Sequence, residues 1–210
     1  LPGLAQVNRR AHMAAMFNDT SSPLALLRTR RSGKPRDLVA PAPDDAQMRE
    51  ILSIATRTPD HGKLFPWRFV IVQPEQRATL AALLESAYRA EKPDAGRQEI
   101  ATMHEFATQA PALVVVLSSP KIGSHIPLWE QELSTGAAAM NLLHAVHASG
   151  FAGGWLTAWP AYSDAVRDAF GAPHEKIAGF VFIGTPRKEL EERPRPDYDA
   201  VVSTWNPRAT

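Results

Sequence analysis

Five basic side chains stand within nine residues early in the chain, in LLRTRRSGKPR, with no acid among them. A guanidinium group binds phosphate through two parallel hydrogen bonds, and the hydroxyl of Ser32 adds a donor. The run therefore predicts an anion site suited to a nucleotide phosphate. A solvated basic face at a helix C-terminus would have the same composition and remains the alternative. The basic residues are Arg28, Arg30, Arg31, Lys34 and Arg36.

A second polar group lies where a predicted helix ends, in RTPDHGKLFPW. Arg57 and His61 flank a Pro-Asp pair just before a strand-like run. A histidine at this position can donate a hydrogen bond to a ring carbonyl or stack on an aromatic face. The alternative is a structural turn in which Asp60 caps local backbone while Phe65 and Trp67 lie in the core.

The third candidate is a glycine pair in GFAGGWLTAW. Gly153 and Gly154 permit close backbone approach, and the amides beyond them can face a planar ligand. Such a pair is as often a packing device. The spacing does not match G-x-G-x-x-G, so a Rossmann dinucleotide site is not indicated.

The residue patterns of metal sites, cysteine chemistry and common hydrolase or nucleotide motifs do not occur in the sequence. His144 and His147 are one helical turn apart, but no third ligand is signalled, so we predict no metal site. The chain has no cysteine, which excludes disulfides, thiolate metal sites and a thiol nucleophile. The serine-hydrolase elbow, the H-E-x-x-H zinc motif and the P-loop are also missing.

Composition indicates an ordinary globular protein. The 210 residues are 44% apolar and 21% charged, with a net charge of +1, so no global field favours nucleic acid or an anionic membrane. The longest apolar run, residues 112–117, is far shorter than the roughly 20 residues of a membrane helix. We expect neither partner, and the lack of cysteine suits a reducing cytoplasm.

The first residues read differently from the rest. The chain does not begin with Met, and LPGLAQVNRRAHM resembles a tag or vector remnant. We therefore expect residues 1–21 to be a tag or disordered, and residues 22–210 to form a single domain.

Hydrophobic periodicity predicts helices that alternate with buried strands, in a mixed α/β or α+β class. The small-residue segment STGAAAMN gives the longest helix a central place and a possible subunit contact. The charged tail ends in VVSTW, which we expect to join a sheet edge, possibly on a partner subunit. The predicted helices are residues 23–31, 44–58, 74–91, 97–109, 127–149 and 163–170, and the predicted strands are 68–72, 111–119, 153–157 and 176–186.

The ordered set of motifs resembles the nitroreductase family of FMN-dependent oxidoreductases. A helix ends in RRS, a proline loop ends in PW before a strand, a helix opens with W-E-Q-E, and G-F-x-G-G-W and G-T-P follow. The likeness spans residues 23–205. Within the family the chain is most similar to the small NAD(P)H nitroreductase branch that carries R-x-P-D-H.

The resemblance implies an α+β fold with a central mixed sheet flanked by helices. It also implies a homodimer with FMN at the interface and an exchanged C-terminal strand. The basic run would hold the FMN phosphate and the proline loop its ring. The implied FMN contacts are Arg30, Arg31, Ser32, Arg57, His61, Gly154, Trp155 and Leu156, and a further phosphate contact falls on Arg187, Arg193 or Arg195. The implied nicotinamide contacts are Val146, His147, Ala148, Ser149, Gly150 and Phe151.

The chain departs from the family pattern in the proline loop. Many members have Pro-Ser-Ser-x-Asn-x-Gln-Pro-Trp, whereas Lys63 and Phe65 stand here in place of the Asn and Gln. The usual hydrogen bonds to the pyrimidine edge of the flavin are therefore altered, and with them the flavin potential.

The activity implied is a ping-pong transfer of hydride from NADH or NADPH through flavin N5 to a nitroaromatic, quinone or similar small acceptor. No side chain needs to act as a catalytic acid or base, since the flavin carries the chemistry. Two alternatives remain open: a non-catalytic flavin-binding or storage protein, and another flavin reaction on the same scaffold. A basic-patch nucleic-acid binder is disfavoured by the near-zero net charge.

Overall fold

The computed structural model describes residues 17–207. The predicted tag falls mainly on residues 1–16, which lie outside the described residues. Residues 17–21 are described, and two of them bond to the end of the first helix: the Asn18 amide donates to the Thr29 carbonyl at 3.1 Å, and the Asp19 amide donates to Thr29 Oγ1 at 2.9 Å.

Seven α-helices occur among the described residues, and the six predicted ones are all present with shifted ends. The second helix ends three residues before the predicted Thr58, and the third opens with a 3₁₀ turn at Pro74–Gln76. None of the seven is both long and apolar enough to cross a membrane. The helices are α1 (Pro23–Thr29), α2 (Asp45–Ala55), α3 (Arg77–Glu91), α4 (Arg97–Thr108), α5 (Leu128–Ala148), α6 (Asp164–Phe170) and α7 (Tyr198–Val201).

Five strands form one sheet, namely β1 (Leu38–Val39), β2 (Trp67–Val72), β3 (Ala112–Ser118), β4 (Ala152–Leu156) and β5 (Lys176–Pro186). The order is β1-β5-β3-β2, and β4 pairs with β5 beside β1. The four longer strands were predicted.

The resemblance implied a mixed sheet, but the sheet is antiparallel. Each pairing between described strands is antiparallel. The path of the chain gives each strand the direction opposite to that of the strand with which it pairs. Two helices, α3 and α4, join β2 to β3 and return the chain to the end of the sheet that it left. Only α5 joins β3 to β4, which makes these two strands parallel, but β5 lies between them.

Helices cover both faces of the sheet. Alternate residues of β3 and β5 point to opposite faces. Val114 and Val181 pack with α2 and α5, whereas Val115 and Phe180 pack with α3, α4 and α6. Each fully buried side chain of this kind contributes about 1.5–3 kcal/mol, so the two cores hold the sheet and the helices together.

The predicted strand at residues 201–205 is wrong for the single chain. The segment begins at the end of α7 and continues without regular structure, and Trp205 is 84% exposed. An isolated apolar segment cannot bury itself against its own short helix. Its exchange into a partner's sheet remains a prediction.

One buried carboxylate links β2 to the start of β5. Glu175 is 4% exposed; Arg68 Nε donates to its Oε1 at 2.8 Å, and the Ala172 amide donates to its Oε2 at 2.7 Å. The hydrogen bond from Arg68 is the main cause that holds the pKa of Glu175 down, to about 2. A depressed carboxyl pKa stabilises the fold above the unfolded-state value and is lost as the pH falls toward the folded value.

Lowering the pH from about 5 to about 2.5 should therefore remove on the order of 2–3 kcal/mol of stability through Glu175 alone. Urea unfolding across this range measures the loss. Glu175→Gln should be less stable at pH 7 and lose less on acidification. The exposed tail variant Glu189→Gln should follow the wild type, and an identical acid profile for Glu175→Gln would contradict the assignment.

Candidate functional site

The end of α1 leads directly into the basic run and docks it against β4. Ser22 caps α1 and Pro23 occupies its first position, as the sequence predicts. The helix ends at Arg30, and the Gly33 amide donates to the Gly153 carbonyl at 3.1 Å. The run therefore lies along the sheet.

Gly154 permits this close approach. A Cβ at Gly154 would lie 2.5 Å from the Gly33 carbonyl oxygen and 3.0 Å from the Pro35 ring, and one at Gly153 would lie 2.8 Å from Leu143 Cδ2. The glycine pair packs the basic run and α5 against β4, which agrees with the packing alternative. Its contact with a planar ligand stays a prediction.

Positive charge is concentrated between the end of α1 and the second half of α5. Burial, followed by the charges of Arg195 and Arg31, lowers the pKa of Arg30. Burial, followed by the charge of Arg30, lowers the pKa of His144. The same two causes, in the same order, lower the pKa of His147 to about 4. His147 is therefore neutral at pH 7, and the guanidiniums carry the charge of this corner.

Several polar atoms of this corner have no partner among the described residues: Nε of Arg31, Nδ1 of His144 and both ring nitrogens of His147. Unpartnered buried donors are costly. The corner thus combines unsatisfied buried polar atoms with a concentration of positive charge.

Arg31 is largely occupied within the chain. Its side chain donates to the Arg30 carbonyl at 2.8 Å and pairs with Glu192, and the residue is 7% exposed. Lys34 Nζ lies 2.8 Å from both carboxylate oxygens of Glu191. Two tail carboxylates thus partly neutralise the basic run. Arg30 has a different partner: its guanidinium donates a hydrogen bond to Ser32 Oγ at 3.3 Å.

Sequence reasoning missed these two glutamates as partners of the basic run. The signal was present, because the acidic pair in ELEER complements the acid-free run in charge. Nothing in the sequence indicates that the tail folds back over α1.

The proline loop is a capped turn, as the structural alternative predicted. Asp60 accepts hydrogen bonds from the Leu64 amide at 2.8 Å and the Phe65 amide at 3.2 Å. Trp67 is buried, but Phe65 is 60% exposed, so its predicted place in the core is wrong. Phe65 takes a positive φ of 49°, which turns its ring away from the core.

One face of α5 holds this loop at both ends. Ser134 Oγ donates to the Pro59 carbonyl at 2.9 Å, and Thr135 Oγ1 donates to the Pro66 carbonyl at 3.0 Å. His61 Nδ1 lies 2.8 Å from Glu130 Oε2 in the first turn of the same helix. The loop is therefore fixed to the helix, and His61 remains exposed at its surface. Arg57 is exposed at the exit of α2.

The remaining predicted contacts divide between core and surface. The indole of Trp155 donates to the Ala178 carbonyl at 3.0 Å, and Leu156 is half-buried. Val146 and His147 are buried, and Phe151 is half-buried. The exposed part of the predicted nicotinamide segment is the turn that ends α5: Ala148, Ser149 and Gly150.

A cavity of about 720 Å³ lies elsewhere, between the first half of α2 and the ends of β2 and β3. Its lining includes Met48, Arg49, Ile71 and Pro111 and none of the predicted contact residues. The candidate site of the single chain is therefore an open corner and not this cavity. No cluster of metal-ligating side chains occurs within residues 17–207.

The match to known families covers most of the chain. The model of the nitroreductase family matches residues 27–185. The Escherichia coli K12 protein named "Putative NAD(P)H nitroreductase YdjA" is 36% identical over 165 residues, which are 78% of this chain and 88% of that protein.

Solved structures share the fold. A nitroreductase-like family protein from Bacillus cereus superposes with a TM-score of 0.74 at 20% identity, over 88% of this chain and 96% of its own. A "putative nitroreductase in complex with FMN" from Desulfovibrio desulfuricans superposes with a TM-score of 0.67 at 19% identity, over 89% of this chain and 99% of its own.

Ser134 supports the loop through two bonds, since Trp67 Nε1 also donates to its Oγ at 3.2 Å. Ser134→Ala leaves the indole and the Pro59 carbonyl without this partner, and should cost about 1–3 kcal/mol in urea unfolding. Thr102→Ala removes an exposed hydroxyl on α4 and should change stability by less than about 0.5 kcal/mol. Equal effects of the two variants would mean that Ser134 does not hold the loop.

Proposed function

The chain belongs to the nitroreductase family, and from this we propose that it is an FMN-dependent oxidoreductase. In this proposal NADH or NADPH is the reductant, and a nitroaromatic, a quinone or a similar small molecule is the acceptor. The two substrates occupy the same place in turn, in a ping-pong scheme. The observation that carries the proposal is the cationic corner around Arg30, joined to the family match.

The residues of the corner fit the phosphate of FMN. Burial, followed by the charges of Arg195 and Arg31, lowers the pKa of the Arg30 guanidinium, and a dianion would offset the repulsion between these cations. Ser32 lies beside it with an exposed hydroxyl. Arg31 is the less available of the pair, because an approaching phosphate would have to displace Glu192.

When bound, FMN supplies the transfer of two electrons between the nicotinamide and the acceptor. The task of the chain is to bind, orient and shield. In this proposal Arg30 and Ser32 would hold the phosphate, the backbone of Gly154, Trp155 and Leu156 would face the ring, and the turn at residues 148–150 would meet the nicotinamide nucleotide.

Exposed apolar side chains support a homodimer. Leu24 and Leu27 project from α1, Trp129 and Leu133 project from α5, and Trp205 lies bare in the tail. Exposed apolar groups of this size mark a contact surface when they adjoin. In our proposal a second copy covers them, and its sheet edge takes up the tail strand.

The spacing of the predicted contacts also favours two copies. His61 contacts Glu130, whereas the charge of Arg30 acts on His144. The rise of 1.5 Å per residue puts about 21 Å of helix between residues 130 and 144. This exceeds the distance from phosphate to ring in one FMN, so the proline loop and the cationic corner would serve one flavin from different subunits.

The absorption spectrum of the purified protein tests the proposed function. We expect a yellow protein, or one that becomes yellow with added FMN, whose visible flavin band bleaches under anaerobic NADH or NADPH and returns with a nitroaromatic or quinone. A flavin that neither nicotinamide reduces would instead support storage or another flavin reaction. A protein that does not take up FMN would refute the proposal.

Arg30→Ala should weaken FMN binding roughly 10- to 150-fold, since one charge-assisted hydrogen bond contributes about 1.5–3 kcal/mol. Quenching of flavin fluorescence measures the affinity, and circular dichroism checks the fold. Arg28→Ala removes an exposed cation two residues earlier and should bind FMN within about threefold of the wild type. Similar losses in both variants would indicate a general field and not a phosphate contact at Arg30.

A further inference from the structure

We propose that Glu130 is a positioning residue that sets the tautomer of His61, so that Nε2 of the imidazole meets the ligand as a hydrogen-bond acceptor. The contact that carries this inference joins His61 Nδ1 to Glu130 Oε2 at 2.8 Å. It is the only side-chain hydrogen bond of His61 within residues 17–207, and the imidazole remains largely exposed.

The chemistry of the pair determines the direction of the bond. An ionised carboxylate only accepts hydrogen bonds, so Nδ1 of His61 must donate. In a neutral imidazole one nitrogen then carries the proton and the other carries a lone pair. With the proton at Nδ1, the free nitrogen Nε2 is an acceptor.

The backbone that carries His61 is fixed independently of this contact. Ser134 and Thr135 hold the carbonyls at the two ends of the loop, and Asp60 accepts from two amides inside it. Gly62, the next residue, takes a φ of 79°. The Cα position of His61 is thus set by α5 and the turn, and Glu130 adds the orientation of the ring and the site of its proton.

The consequence for the ligand rests on the proposed function. The pyrimidine edge of a flavin has two carbonyl acceptors and one donor, the N3–H group. Neutral His61 fixed by Glu130 would pair with N3–H, whereas a histidine that donates to a ring carbonyl, as the sequence suggested, needs a proton on Nε2. Glu130 would therefore select which atom of the ring His61 recognises.

Glu132 provides a matched control on the same helix. Its Oε1 lies 2.8 Å from Lys176 Nζ at the start of β5, two residues along from Glu130 and away from His61. Glu130→Gln and Glu132→Gln each replace one carboxylate by an amide of the same shape, the first beside His61 and the second beside Lys176. Both put an amide, which can either accept or donate, in place of a group that can only accept, but only Glu130→Gln does so at the partner of His61.

The tautomer is measured directly from the imidazole ¹⁵N shifts, at about pH 9 where histidine side chains are ordinarily neutral. The signal of His61 is assigned by its loss in His61→Gln. We expect the Nδ1–H form in the wild type and in Glu132→Gln, and a substantial Nε2–H population in Glu130→Gln. An Nε2–H tautomer in the wild type, or no change in Glu130→Gln, would overturn the proposal, and this test needs no flavin.

Binding of FMN and of its N3-methyl analogue tests the ligand half. Loss of one hydrogen bond corresponds to about 3- to 10-fold in affinity. The wild type and Glu132→Gln should prefer FMN by this factor, and the preference should shrink in Glu130→Gln. Equal affinities in the wild type, or the same preference in all three proteins, would overturn the role of Nε2 as an acceptor.

The two failures can be told apart. A wild type that binds neither flavin refutes the proposed function, while the ¹⁵N experiment still decides whether Glu130 sets the tautomer. A wild type that binds both flavins equally leaves the proposed function in place and removes the inference.

Discussion

Docking of the basic run depends on the space left by a missing side chain at Gly154. A Cβ at Gly154 would collide with the Gly33 carbonyl oxygen. The Gly33 amide donates to the carbonyl of the preceding strand residue, Gly153. Without this approach the chain after α1 would have no fixed path. With it, Arg30 comes beside α5, where burial and the neighbouring cations Arg195 and Arg31 lower the pKa of its guanidinium.

The helix α5 connects the parts of the candidate site. Its buried side packs against β3 and β5 in one of the two cores. Its first turns hold the proline loop through Glu130, Ser134 and Thr135, and its last turns carry His144 and His147 beside Arg30. A helix that is fixed by its core contacts can present both groups with little conformational freedom, which is what preorganised binding requires.

Much of the fold could be predicted from periodicity and caps. The Ser22–Pro23 start of α1 and the continuous apolar run of β3 were visible in the sequence because they arise from local rules. The pairing of strands was not, since it depends on contacts between residues that are distant in the sequence. The family match confirmed the resemblance that the ordered motifs suggested, although no single motif among them was specific.

The partners of the site residues were harder to predict than the residues themselves. Arg31 lies in the predicted basic run, but its partner Glu192 is 161 residues away in sequence. The bond between His61 and Glu130 likewise spans 69 residues. Short-range patterns identify side chains that could do chemistry, and tertiary packing decides which of them remain available.

The place of β5 in the sheet has a consequence for how the protein is made. This strand pairs with β1, β3 and β4, yet it is the last strand in the chain. Before β5 leaves the ribosome, β3 can pair only with β2, and both helical layers lack the side chains that β5 contributes to the two cores. Long-range pairings of this kind form slowly and expose apolar surface meanwhile. The nascent chain therefore keeps β1, β3 and β4 without their shared partner until β5 has emerged.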